Sequence, residues 1–247
     1  MSTINWLSFR NFDSRDHNVY IREKNVFDVS GKDLQFITVP GRDGDIIINQ
    51  GGSKNLTIKY GLSFFSSQFI EISENENFFY SIQDMKRKLV EDGGYYNLYD
   101  SYTPNYYRKA CLTKGLSIEQ PHWSVGQFDL EFSCKPFLYR IDGDITQTIT
   151  TQNTDIYNPE IYDSLPYIKI YGNGDLRLII NGGNYYFTDV SEYIEVDSDT
   201  MNVYKNITNQ NYKFSGSAFP VLASGSNIIA WAGDVTQIDI KPRWRTK

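Results

Sequence analysis

Only two cysteines and two histidines occur in 247 residues. Cys111 and Cys134 do not form a CxxC pair, and two cysteines cannot build the disulfide framework of a small secreted domain. Free thiols made in a reducing cytoplasm are therefore expected. His17 and His122 are too few for a histidine-rich zinc or iron site. A nucleophile and base can be drawn from Cys111 and His122, but a packed thiol and a surface histidine are the simpler account. Basic charge is also short: 24 Lys and Arg stand against 30 Asp and Glu, a net charge of −6. Phosphate binding needs a dense basic face, so no nucleic-acid partner is expected. No apolar run approaches the ~20 residues that cross a bilayer as a helix, so no membrane span is expected. Met1 to Arg10 shows no cationic segment followed by an apolar run, so no secretory signal is expected.

What the chain has in quantity is strand pattern. Leu56, Ile58, Tyr60, Leu62 and Phe64 alternate with Thr57, Lys59, Gly61 and Ser63, which is the period of a strand with one buried face. Phe128, Leu130, Phe132 and Cys134 alternate in the same way with Gln127, Asp129, Glu131 and Ser133, which puts Cys134 on an apolar face. Phe9 to Val19 reads as polar and turn-like. A helix is expected from about Ile82 to Glu91, with Ser81 and Asp84 as a capping box, Ile82, Met85, Leu89 and Val90 on one face, and Gly93-Gly94 as the stop. Lys86, Arg87 and Lys88 lie largely off that stripe, where three basic residues on a short helix usually form a solvated face. Tyr95, Tyr96, Tyr99, Tyr102, Tyr106 and Tyr107 are either stacking or interface residues or, more simply, half-buried strand residues.

The length is enough for two cores, which predicts two domains. The boundary falls near Tyr139 to Asp142, where a strand-rich half gives way to a polar run, so the domains read as residues 1–139 and 140–247. Beyond Tyr167, short strands are expected at Ile168 and Ile170, Leu176 to Ile180, Tyr193 to Val196, and Ile238 with Ile240. Turn signals at Gly172-Asn173-Gly174, Asn181-Gly182-Gly183 and Gly225-Ser226-Asn227 separate them. That spacing indicates a β-sandwich.

The most concentrated turn signal is Pro40-Gly41-Arg42-Asp43-Gly44, set between the apolar runs of Ile37 to Val39 and Ile46 to Ile48. It predicts a hairpin with Arg42 and Asp43 facing outward at its tip and Ile and Val holding the turn. On the residues alone, the tip is either an ordinary solvated turn or a contact with another subunit.

Motifs for chemistry are weak. Gly172, Gly174 and Asp175 resemble a dinucleotide fingerprint, but Arg177 occupies the third glycine position and a strand follows. Asp142-Gly143-Asp144 and Asp197-Ser198-Asp199 lack full calcium-loop spacing. No nucleophile elbow, P-loop or metal helix is present, and carboxylate pairs are inevitable among so many acidic residues. No cofactor, metal site or catalytic residue is assigned.

Several motifs taken in order carry a resemblance across nearly the whole chain. They are VPGRDGDIII at 39–48, the helix, YYRKACL at 106–112, FSCKPFLYR at 132–140, IKIYGNGDLRLIING at 168–182, and FPVLASGSNIIAWAGDV followed by IKPRWR at 219–245. Their order and spacing resemble the distal tail protein (Dit) family of long-tailed bacteriophages. The resemblance implies a mainly β fold. Its N-terminal domain would be a β-sandwich with one α-helix and a projecting β-hairpin that forms a ring, and its C-terminal domain a galectin-like β-sandwich on the outside. It further implies a structural, non-enzymatic virion protein at the distal end of the tail, in the tip or baseplate, made in the host bacterial cytoplasm. Its partners would be copies of itself in a hexameric ring, single or stacked in pairs, together with the major tail tube protein, the tape measure protein, the tail tip protein and, in many phages, receptor-binding proteins. Only this resemblance moves Arg42 and Asp43 toward an oligomer interface. The alternatives from other classes are a carbohydrate-binding module using the tyrosines and the C-terminal sandwich, and a cell-wall hydrolase using an acidic pair.

Overall fold

A computed structural model describes residues 5–65, 74–89, 93–122 and 125–247. Among the described residues the fold is mainly β, with one α-helix and a separate hairpin, as expected. The chain divides into two compact units, Met1–Leu138 with Lys247, and Tyr139–Thr246.

The first unit contains β1 (Leu7–Phe9), β2 (Phe12–Asp13), β3 (Val19–Lys24), β4 (Lys32–Ile37), β5 (Ile46–Ser53), β6 (Leu56–Phe65), α1 (Glu74–Leu89), β7 (Tyr96–Asp100), β8 (Tyr106–Leu112), β9 (Ile118–His122) and β10 (Val125–Arg140). Its main sheet runs β2-β1-β7-β8-β10-β6-β3, with β9 also paired to β10. The two strands with the clearest alternation are antiparallel neighbours. Leu62 lies opposite Phe128, Tyr60 opposite Leu130, Ile58 opposite Phe132 and Leu56 opposite Cys134. Residues directly opposite share a face, so the two apolar sets form one buried surface. Burying each such side chain contributes roughly 1.5–3 kcal/mol.

The segment read as turn-like is part of this core. Phe9, Phe12 and Val19 are buried in it, and a short 3-10 turn at Ser14–His17 lies between β2 and β3. Inside the sheet, Tyr60 Oη donates to Asp100 at 2.6 Å, and the buried Arg108 donates to the Val26 carbonyl at 2.7 Å.

The helix is longer than its sequence signals. It runs Glu74–Leu89, about two turns further toward the N-terminus than the expected start, so Ser81 lies inside it and cannot be its N-cap. Asp84 instead pairs with Arg87 at 2.6 Å and Lys88 at 2.8 Å. Met85 and Leu89 are buried and Ile82 packs against the same core; Val90 and Glu91 lie outside the described residues.

The second unit contains β11 (Gln147–Ile149), β12 (Thr154–Asn158), β13 (Tyr167–Ile180), β14 (Gly183–Val190), β15 (Tyr193–Asp197), β16 (Asn202–Lys205), β17 (Thr208–Asn209), β18 (Phe214–Ser215), β19 (Gly225–Lys241) and β20 (Arg245–Thr246). Its strands run β11-β19-β13-β15-β16-β17, with β12 on β19, β14 on β13 and β18 on β14. Asn181 and Gly182 take φ of 50° and 82° and make the expected two-residue turn between β13 and β14. Gly172-Asn173-Gly174 is a different case. It does not separate two strands but lies within the continuous β13, at an irregularity in the pairing with β19. A Cβ at Gly172 would lie 2.2 Å from the Asp234 carbonyl oxygen, so glycine here permits close approach of two backbones at a bend. Likewise Gly225 begins β19 and does not divide strands.

Candidate functional site: the β4–β5 hairpin

Pro40 and Gly41 occupy the two central positions of a turn closed by the Arg42 N–H donating to the Val39 carbonyl at 3.2 Å. Gly41 has φ of 81°, so proline followed by a left-handed glycine gives a type II geometry. A second positive φ, 79° at Gly44, returns the chain to β5, and Thr38 Oγ1 donates to Asp45 Oδ1 at 2.8 Å across the base of the loop. Arg42 and Asp43 are exposed at the tip, and neither has a side-chain hydrogen bond or ion pair among the described residues.

Below the loop the register is Ile37 opposite Ile46, Phe36 opposite Ile47, Gln35 opposite Ile48 and Leu34 opposite Asn49. Further down, Gln50 Nε2 donates to Gln35 Oε1 at 2.8 Å, Lys54 pairs with Asp33 at 3.3 Å, and the Lys54 N–H donates to the Gly31 carbonyl at 3.0 Å.

This two-stranded sheet hydrogen-bonds to no other strand among the described residues. The expectation that Ile and Val hold the turn needs revision here. Phe36 and Ile47 are about 60% exposed (59% and 60%), and Ile37, Ile46 and Ile48 are all exposed as well. In the link before β4, Phe27 and Val29 are more exposed still. Turn geometry and the β4–β5 ladder hold the hairpin, not a core. The sequence could not reveal this, because an apolar run does not say what covers it.

The other candidates are structural. Cys134 is fully buried, and burial pushes its thiol pKa up to about 12. Cys111 is half-buried, and the His122 side chain lies outside the described residues. Asp142 is engaged by Arg140 at 2.6 Å, which holds its carboxyl below the usual range. Asp197 is gripped by Arg243 at 2.7 and 3.0 Å. Among the described residues, no group of three or more His, Cys, Asp and Glu could hold a metal. Tyr96, Tyr99, Tyr102 and Tyr106 are half-buried and Tyr107 is buried, which matches the simpler reading of that run, while Tyr95 is exposed.

Comparisons with known proteins give one kind of result. No protein-family model matches the sequence, and no curated protein matches it. Among solved structures, the chain is similar to the Dit protein (gp 19.1) of phage SPP1, described as a paradigm of the hub adsorption apparatus in phages that infect Gram-positive bacteria. The TM-score is 0.72 at 12% identity, and the match covers 96% of this chain and 98% of that one. The fold is therefore Dit-like across both units.

Proposed function

We propose that this chain is a structural subunit of a long-tailed phage hub, a distal tail protein without catalytic activity. The observation that carries the reading is the extent of the likeness, which takes in the whole length of both chains. In this role residues 1–139 form a hexameric ring and residues 140–247 form a galectin-like sandwich on its outside. The ring joins the tail tube and tape measure proteins to the tip protein at the distal end of the virion, and offers its outer surface to receptor-binding proteins. Arg42 and Asp43 belong to the contact between subunits. Their unpartnered charges at the tip of an exposed apolar element support this, since a directional charge-assisted pair sets register across an interface. Closed cyclic symmetry uses one heterologous surface to make a finished object.

Light scattering on the purified chain, together with electron micrographs, tests the reading. A discrete six-fold ring is expected, and residues 1–139 expressed alone should still associate. A monomer at every concentration would end it. One observation favours the carbohydrate-binding alternative. Tyr171 and Tyr193 lie 6.0 Å apart on neighbouring strands, with Lys169 Nζ 3.8 Å from the Tyr193 ring. Retention of a monomer on cell-wall glycan would decide for that module.

A further inference from the structure

The second unit carries an open cleft of about 300 Å³ on the side of its sheet turned away from the core, lined by Asp175, Arg177, Tyr186, Thr188, Ala232 and Gly233 among others. Leu176, Leu178 and Phe187 are buried in the core, so Arg177, Tyr186 and Thr188, which alternate with them, face outward. Arg177 lies opposite Tyr186 on β14 and opposite Ala232 on β19. The three form a row across neighbouring strands, about 10 Å from end to end at ~4.8 Å per strand. Its β19 end is kept low by Ala232 and by Gly233, whose φ is 96° and where a Cβ would meet the Asp175 carbonyl oxygen at 2.5 Å.

Two side chains of this row are not engaged. The other arginines of the second unit are all held: Arg140 by Asp142 and Glu160, Arg243 by Asp197, and Arg245 by the Asp163 carbonyl at 2.6 Å. Arg177 is half-buried and has no hydrogen bond or ion pair among the described residues. A guanidinium that gives up part of its hydration without a protein partner favours a ligand that supplies acceptors. Tyr186 is 46% exposed, and among the described residues no ring or cation lies over its own ring. The Tyr193 ring, by contrast, already has Lys169 Nζ at 3.8 Å and Lys205 Nζ at 4.9 Å. Asp175 Oδ1 accepts the Asp189 N–H at 3.0 Å, which leaves its second oxygen for a ligand hydroxyl.

We propose that this cleft binds an uncharged hexopyranose, free or as one unit of a polysaccharide, with Tyr186 stacked on the C–H face of the ring, Arg177 donating to one hydroxyl and Asp175 accepting from another. A donor fork, an acceptor and an open aromatic face around a low floor are what a ring with both hydroxyl and C–H surfaces requires. An anionic ligand is disfavoured, because Asp175 lines the cleft beside Arg177, and Asp189 and Asp234 flank it. An extended peptide finds no free backbone edge, since Arg177 is paired with both Tyr186 and Ala232, and Tyr186 with both Arg177 and Ser215. The site lies wholly within the second unit and does not depend on the hub reading. One open site for a single ring should bind with a Kd on the order of 1 mM.

Saturation-transfer NMR on the full chain tests it, with the methyl glycosides of glucose, galactose, mannose and N-acetylglucosamine as neutral probes and glucuronate as the charged one. At least one neutral sugar should receive saturation at its C–H protons. The signal should fall at least fivefold in Tyr186→Ala and in Arg177→Met, which keeps the aliphatic stem and removes the donors, and should be unchanged in Tyr193→Ala. Circular dichroism checks each fold; where a variant loses its spectrum, Tyr186→Leu, Arg177→Gln or Tyr171→Ala is read in its place. No response from any neutral sugar, a response that survives both cleft substitutions, one lost only with Tyr193, or binding of glucuronate alone would each overturn the site. Light scattering on the same samples keeps the two readings apart: a ring that binds no sugar overturns only the site, and a monomer that binds one overturns only the hub.

Discussion

At the scale of single residues, His17 joins the 3-10 turn to the helix. Its ring stacks on Phe12 with centroids 5.2 Å apart and an 11° tilt, and its Nε2 lies 3.1 Å from Lys88 Nζ and 3.7 Å from Asp84. Burial lowers its pKa, and Lys88 adds to the effect, against opposition from Asp84, Asp16 and Asp13. A histidine with a depressed pKa in the folded state is protonated first in the unfolded chain. Its contribution is therefore complete above the ordinary value of about 6.5, and is lost as pH falls through the folded value. The unfolding midpoint should drop as pH is lowered below 6.5, and His17→Gln should remove that part of the slope. Identical slopes in the two proteins would contradict it. The cysteines make a second case. Cys134, with its raised pKa and complete burial, should resist alkylation at pH 8 until the protein unfolds. Replacing both cysteines by alanine should cost about 1–2 kcal/mol in denaturant unfolding and leave assembly unchanged. Loss of the ring with the fold intact would give a thiol an unexpected role.

Among the elements, β13 and β19 organise the second unit, because each is long enough to pair with different partners along its length. That requires a bend, and Gly172 allows it. Gly172→Ala would drive a Cβ against backbone, the Asp234 carbonyl, where no flexible side chain can yield. The expected cost is on the order of 2–4 kcal/mol, at the severe end for a point substitution. Thermal unfolding of the variant measures it; an unchanged midpoint would mean that the two backbones can separate without loss. The helix teaches a related point about local signals. A serine with an acid three residues later resembles a start, yet Ser81 sits mid-helix because Met85 and Leu89 fasten the helix to the core and the chain continues helical toward Glu74.

For the molecule as a whole, the hairpin tip is the sharpest test of assembly. Arg42→Glu should weaken the ring by on the order of 2–5 kcal/mol per contact, because reversing the charge leaves its partner across the interface unpaired. The fold of the subunit should survive, since Arg42 is exposed and touches no charged group among the described residues. Light scattering with circular dichroism reads both quantities. A normal ring would make the tip a solvated turn and shift the weight of assembly to the apolar faces below it.

The sequence by itself determined the features that depend on near neighbours. The alternation of Leu56 to Phe64 and of Phe128 to Cys134 made two buried strand faces legible, since side chains two apart in a strand always share a side. Pro40-Gly41 and Asn181-Gly182 made two reversals legible, since their φ preferences are properties of the residues themselves. Which apolar face is buried was decided only by the tertiary structure, because burial depends on segments far along the chain. Apolar residues were placed inside a core in β6 and left bare in β4 and β5, and Phe9 and Phe12, in a stretch that reads as polar, were drawn into the interior. The two glycines of Asn181-Gly182-Gly183 and of Gly172-Asn173-Gly174 look alike in sequence. One group turns the chain and the other bends a continuous strand, and what separates them is the backbone of Asp234, some sixty residues away, lying where a side chain would be.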